Sequence, residues 1–183
     1  MRGRLFVISA PSGTGKSTVV AKLRERFPNL GFSISCTTRP RREGEEEGVH
    51  YRFIDRGLFE RMAAEGEFAE WAEVHGRLYG TPRLPLERML SEGQDVLLDI
   101  DVQGGMAIKR AFPEAVAIFI VPPGMEELER RLTSRGTDSP EQVALRLDNA
   151  RNEMKFKDRY DRVVVNDTVE RAVDELSAII VGK

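Results

Sequence analysis

Gly15-Lys16-Ser17 sets an amine and a hydroxyl side by side behind a glycine turn, a grouping suited to holding phosphate. The surrounding stretch is APSGTGKST, residues 10–18. Gly13 and Gly15 let the backbone bend so that successive N–H groups point inward. With the positive end of a following helix, those groups form an anion cradle. Ala10, Pro11, Ser12, Gly13, Thr14, Gly15, Lys16, Ser17 and Thr18 are therefore expected to line a nucleoside triphosphate site. Lys16 can reach the outer phosphates. The Ser17 hydroxyl can ligate Mg2+, which takes few protein oxygens and keeps several waters. The usual motif is G-x-x-x-x-G-K-[ST], and Ala10 replaces its first glycine, a departure small enough for a tight turn. A plain glycine-rich turn has a similar composition. The apolar run before residue 10 and the helical pattern after residue 18 favour the phosphate loop.

Two acids form the second grouping. Asp99 and Asp101 are the first acids after the apolar residues 96–98. One of them can hold a metal-bound water, and the other can face a second substrate. Arginines form the third. Arg39, Arg41 and Arg42 sit in one polar stretch, and Arg131, Arg135 and Arg146 lie late in the chain. Guanidinium groups donate bidentately and spread positive charge over a moving phosphoryl group. Arg131 and Arg135 are four apart and share a helix face if the helix reaches that far. Arg130 reads as a solvated helix residue paired with neighbouring glutamates.

These groups need a scaffold. Residues 4–9, 96–101, 116–121 and 163–165 read as buried strands. Helical patterns fall at 15–27, 102–112, 125–134, 140–156 and 169–181, with Ser139-Pro140-Glu141-Gln142 as a helix start. Continuous apolar strands alternating with helices predict an α/β fold, a parallel sheet covered on both faces. Ligands in such folds sit at the carboxyl ends of the strands, where the phosphate loop and both acids fall. Residues 32–81 break the pattern with shorter alternating strands and look like an insertion with its own small sheet. Within it, residues 36–49 read as loop, 58–65 as a short helix, and 68–74 and 78–81 as a strand and its return.

Composition excludes little. The chain has 183 residues, 28 Lys plus Arg against 30 Asp plus Glu, and a net charge of −2. That balance points to no nucleic-acid or membrane partner. Cys36 is the lone cysteine, so no internal disulfide is possible, which agrees with a cytoplasmic location. No apolar run suits a signal peptide or approaches the ~18 residues of a membrane span. Nothing decides between a monomer and a homo-oligomer.

APSGTGKST, SCTTRPRREGE, HYRF, FAEWAEVHGRLYGT, LLDIDVQG, RRLTSRGTDS and VVVND, in that order, resemble the guanylate kinases over essentially the whole chain. The resemblance implies Mg2+-dependent transfer of the terminal phosphate of ATP to GMP, and to dGMP. It implies a P-loop three-layer core with a parallel sheet (about 1–32, 84–123 and 157–183). A small mixed α/β GMP-binding insertion (about 33–83) and a helical lid (about 124–156) complete the expected single domain. It assigns GMP-phosphate contacts to Ser35, Arg39, Arg42, Tyr51 and Tyr79, and guanine reading to Glu70, Thr81 and Asp101. Lys16, Arg39, Arg42, Arg131, Arg135 and Arg146 become the catalytic set, with Ser17 and, through water, Asp99 toward the metal.

Glu70 has a chemical reason to read guanine. N1–H and the exocyclic amine are adjacent donors, and one carboxylate accepts both. Adenine puts an acceptor where guanine has N1–H, so Glu70 would be left unpaired. Two departures stand out: Leu78, where many members carry a second Tyr, and the doubled Arg41-Arg42, of which Arg42 keeps the R-x-G-E spacing. Cys36, His50, His75 and Trp71 read as bland, and the Glu45-Glu46-Glu47 run reads as a solvated loop. A ribose-bisphosphate kinase would not need Glu70 and Thr81. A phosphopeptide-binding scaffold would not need an intact Gly-Lys-Ser. A GTPase would need N-K-x-D, which Val165-Asn166-Asp167-Thr168 is not.

Overall fold

The computed structural model describes residues 1–74, 76–134 and 139–182. The chain forms two compact units. The first comprises Met1–Leu5, Asn29–Leu98 and Gln103–Ala115, and the second Phe6–Pro28, Asp99–Val102 and the described part of Val116–Lys183.

In the second unit, β1 (Leu5–Ser9, entered after Leu5), β8 (Val116–Val121) and β9 (Arg162–Val165) are parallel neighbours in that order. The LFVIS run of β1 is buried throughout, as expected of a parallel strand covered on both faces. β9 differs: it pairs only with β8, and Val163 and Val165 are exposed. Its apolar sequence reads as interior, but an outer strand buries fewer of its side chains. Four helices accompany these strands: α1 (Lys16–Arg26), α5 (Met125–Ser134), α6 (Pro140–Met154) and α7 (Val169–Val181). Ser139 and Gln142 close the expected capping box, with Pro140 in the first turn. Thr168 caps α7 by accepting from the Arg171 N–H. Leu128 and Leu132 of α5 pack with Leu147 and Ala150 of α6 in a buried apolar cluster.

The first unit holds a short parallel pair, β2 (Gly31–Phe32) and β7 (Val96–Asp99, through Leu98). It also holds a four-stranded sheet in the order β4 (Arg52–Phe53), β3 (Cys36–Thr37), β6 (Arg77–Pro82), β5 (Phe68–Val74). β3 runs parallel to β4 and antiparallel to β6, and β5 and β6 are antiparallel. Its helices are α2 (Arg56–Ala64), α3 (Arg83–Ser91) and α4 (Val102–Ala111, from Gln103). Asp55 caps α2 by accepting from the Leu58 N–H.

Two expectations change here. Cys36 and Thr37 are strand, not loop: they are central, flanked by β4 and β6. Two residues carry too little periodicity to announce a strand, and distant partners supply the pairing. The strand expected over 96–101 ends at Asp99. Under the small sheet, Cys36, Phe59, Phe68 and Leu78 form one buried cluster. Leu78, the departure from Tyr, is therefore a core residue. Gly80 fits only as glycine, because a Cβ there would come within 2.9 Å of Phe68 and 3.0 Å of Phe59.

Candidate active site

The phosphate loop turns at two residues in the left-handed region, Gly13 (φ +86°) and Gly15 (φ +90°). A Cβ on Gly13 would stand 2.6 Å from Leu132 of α5, so the close approach also demands glycine. α1 begins directly after Gly15 with no side-chain cap. Its first N–H groups are thus not satisfied by a capping side chain, as an anion cradle requires. Ala10, Pro11 and Thr14 are buried, whereas Ser17 and Thr18 are exposed at the start of α1.

Lys16 Nζ pairs with Asp99 Oδ1 at 2.6 Å and donates to the Ile100 carbonyl at 2.8 Å. The structure thus brings together the expected phosphate-binding lysine and the expected metal-side acid. The Ser9 hydroxyl donates to the Asp101 carbonyl at 3.1 Å, which fixes the backbone beside them. Tyr160 lies buried in this unit, and burial pushes its hydroxyl up to about 12.

Arg131 holds the loop rather than projecting from it. Its Nε donates to Glu127 at 2.7 Å, Nη1 to the Thr14 carbonyl at 3.3 Å, and Nη2 to the Asn166 and Asp167 carbonyls at 3.0 and 3.3 Å. Arg146 donates to Ser12 Oγ from Nε at 3.2 Å and from Nη2 at 3.1 Å. Exposed Arg130 forks onto half-buried Glu127, as its solvated reading expects. Arg135 and His75 lie outside the described residues.

Two supports of the loop are not apparent in the sequence. Asn166 is buried and donates from Nδ2 to the Thr14 carbonyl at 2.7 Å, while its Oδ1 and the Thr14 hydroxyl are buried without a hydrogen bond among the described residues. Glu153 of α6 accepts from the Ser12 N–H at 3.1 Å. Only VVVND hinted at Asn166, and nothing in the helical pattern singles out Glu153.

In the first unit, Glu70 on β5 and Thr81 on β6 face each other in register. The Thr81 hydroxyl donates to Glu70 Oε1 at 2.6 Å, and Glu70 is only 7% exposed. A buried carboxylate demands donors, and a flat base edge with two N–H groups supplies them. Two residues earlier on β6, Tyr79 meets Tyr51 edge-on at 6.0 Å, and Tyr51 lies 5.3 Å from the Arg39 guanidinium carbon. Ser35 is buried, and its carbonyl accepts from the Arg52 N–H at 2.9 Å. Six of the eight expected GMP residues (Ser35, Arg39, Tyr51, Glu70, Tyr79 and Thr81) therefore lie on or beside one small sheet. Arg42 joins them through its backbone, donating to Glu45 at 2.8 Å. Asp101 belongs to the second unit.

Within the acidic run Glu46 and Glu47 are exposed, as the solvated reading expects, and only Glu45 is half-buried. Glu45 forks onto Arg39 at 2.7 and 2.8 Å, Glu47 accepts from the Phe53 N–H at 3.0 Å, and the Glu46 N–H donates to His50 Nδ1 at 3.0 Å. The Arg39 hydrogen bonds hold the Glu45 carboxyl down to about 2, and the same fork raises Arg39. Cys36 is buried, which pushes its thiol up to about 11, so it is inert near neutrality. Trp71 packs edge-on against Phe59 at 6.3 Å but stays 51% exposed.

The family profile described as "Guanylate kinase" matches residues 2–183. The chain is 54% identical over 183 residues to the guanylate kinase of Thermus thermophilus, spanning 100% of this chain and 83% of that protein. It is 52% identical over 181 residues to the guanylate kinase of Syntrophotalea carbinolica, spanning 99% and 86%. The crystal structure of guanylate kinase from Anaplasma phagocytophilum superposes with a TM-score of 0.83 at 40% identity, covering 99% of this chain and 86% of that one. The SH3-kinase fragment of tight junction protein 3, 13% identical with a TM-score of 0.52, shares the fold.

Proposed function

We propose, on the premise that this chain belongs to the guanylate kinase family and phosphorylates GMP from ATP, that its two units divide the reaction between donor and acceptor. The observation that carries this reading is the buried Glu70–Thr81 pair on the same small sheet as Arg39, Tyr51 and Tyr79. One sheet thereby offers a carboxylate for a base with two donors, and a guanidinium with two phenols for a phosphate.

In the second unit, the loop N–H groups bind the ATP phosphates and Lys16 transfers from Asp99 to the outer ones. Arg146 stands at Ser12, within the loop itself. Arg131 acts chiefly by fixing the Thr14 carbonyl and hence the loop. The acceptor is already an anion, so no side-chain nucleophile or strong base is needed, and the work is positioning and charge neutralisation. Residues 124–156 act as the lid and 33–83 as the GMP-binding part. Closing both excludes water, so that transfer outruns hydrolysis.

The donor set fits Mg2+. Ser17 is exposed, and among the described residues the Asp99 Oδ1 is held by the Lys16 ammonium. Mg2+ takes few protein oxygens and would be held mainly by substrate phosphates and water. When bound, Mg2+ supplies neutralisation of the phosphate oxygens.

The test is phosphate transfer from ATP with Mg2+ to GMP, dGMP, AMP, TMP and CMP in parallel. Strong turnover on GMP, less on dGMP and little on the rest is expected. Equal turnover on AMP would overturn Glu70 as the base reader.

A further inference from the structure

We infer that Glu45 is the positioning residue of the acceptor-phosphate site: it locks the Arg39 guanidinium so that one donor edge is presented to the incoming phosphate. This rests on the reading of Arg39 as a phosphate-binding residue. A guanidinium has five N–H donors in a rigid plane. Glu45 takes the end-on fork, with Nη1 to Oε2 at 2.8 Å and Nη2 to Oε1 at 2.7 Å. The Pro40 carbonyl takes the second Nη1 hydrogen at 2.8 Å. Nε–H and the remaining Nη2–H share the third edge, which Glu45 does not use, and the Tyr79 hydroxyl hydrogen-bonds to the same guanidinium.

The plane cannot turn easily. Tyr51 and Phe53 stand 5.3 and 5.7 Å from its central carbon, and the side chain is 11% exposed. Glu45 chiefly raises the pKa of this guanidinium, and the Tyr79 hydroxyl adds a smaller push in the same direction. Glu45 also accepts the Arg42 N–H at 2.8 Å, so one carboxylate sets both the side chain of Arg39 and the backbone of Arg42.

A rival is that Glu45 merely occupies the place of the phosphate and must leave. Against it, the carboxylate has three donors and only 18% exposure, so expelling it forfeits three charge-assisted hydrogen bonds. A phosphate that meets the third edge beside the Tyr79 hydroxyl binds without that loss.

The experiment compares calorimetric affinities for GMP and for guanosine, which lacks the phosphate, in wild type, E45Q and E45D. In E45Q, GMP affinity should fall by about 10- to 100-fold, the usual cost of a misplaced binding group. Guanosine affinity and KM for ATP should hold, while Tm falls with the loss of the Glu45 ion pair. E45D keeps the charge and should recover part of the loss. In an R39A background, E45Q should have no further effect on GMP. A gain in GMP affinity would favour the displaced-anion rival and overturn the assignment. Equal losses for GMP and guanosine would reduce Glu45 to a folding role and overturn it as well. Should E45Q fail to fold, an E45D variant that folds and binds GMP and guanosine in the wild-type ratio, while E45Q in the R39A background still weakens GMP, also overturns it. A wild type that binds guanosine as tightly as GMP would overturn the phosphate site itself. Normal wild-type discrimination with an unaltered E45Q would overturn only the role of Glu45.

Discussion

The two units hold their cations in different ways. In the second, Lys16 rests on one carboxylate and one carbonyl, and Arg131 on one carboxylate and three carbonyls. In the first, Arg39 is gripped by a carboxylate fork and flanked by aromatic rings. An ammonium on a flexible stem exchanges partners readily, whereas a forked guanidinium keeps its plane. On the proposed function, Lys16 moves onto a ligand, Arg39 stays and is met by one, and Arg131 holds the loop in shape.

Lys16→Ala tests the moving cation and should have the largest effect. Turnover should fall by on the order of 10⁴-fold, the scale of losing a transition-state cation in phosphoryl transfer. GMP binding to the first unit should remain. Near-normal turnover would break the contrast, because Lys16 would then be only the counter-ion of Asp99.

Glu70→Gln comes next and touches only the first unit. A buried donor of guanine left unpaired costs about 1–3 kcal/mol, so kcat/KM for GMP should drop about 10- to 100-fold. KM for ATP should not change. A parallel rise in KM for ATP would show that the units do not separate donor from acceptor.

Asn166→Ala sharpens the case of the second unit. It deletes the 2.7 Å hydrogen bond to the Thr14 carbonyl. Stability should fall by about 1–3 kcal/mol by denaturant titration, with weaker ATP binding and unaltered GMP binding. Weakening of GMP alone would contradict the placement of this support beneath the phosphate loop.

The smallest effect is a pH dependence in the first unit. The Glu45 carboxyl lies at about 2 in the fold against an ordinary value of 4.5, so its stabilisation is present above 4.5 and drains as pH falls toward 2. Wild type should therefore lose more stability than E45Q across that window. At the alkaline end, the Cys36 thiol, raised from 9.0 to about 11, favours the fold below 9.0 and ceases to as pH passes 11. Iodoacetamide should label it slowly at pH 8, and rapid labelling would show the small sheet open.

What the sequence determined by itself is local. APSGTGKST lies between an apolar strand and a helix, and the structure has that turn, with positive φ at Gly13 and Gly15. The strand runs 68–74 and 116–121 and the capping box at Ser139 are legible because burial and end satisfaction act on neighbouring residues. The register of Glu70 with Thr81 was foreshadowed only by the family's motifs.

The tertiary structure alone decided what depends on distant partners. Cys36-Thr37 became a central strand through β4 and β6, which no pattern of two residues can encode. Glu45 left the apparent solvated run because the loop folds back six residues to meet Arg39. Arg131 spent its donors on carbonyls from residues 14, 166 and 167, and Asn166 reached Thr14 across 152 positions. Periodicity records whether a side chain faces a core or water. Which polar group answers a buried charge depends on distances that exist only once the chain has closed on itself.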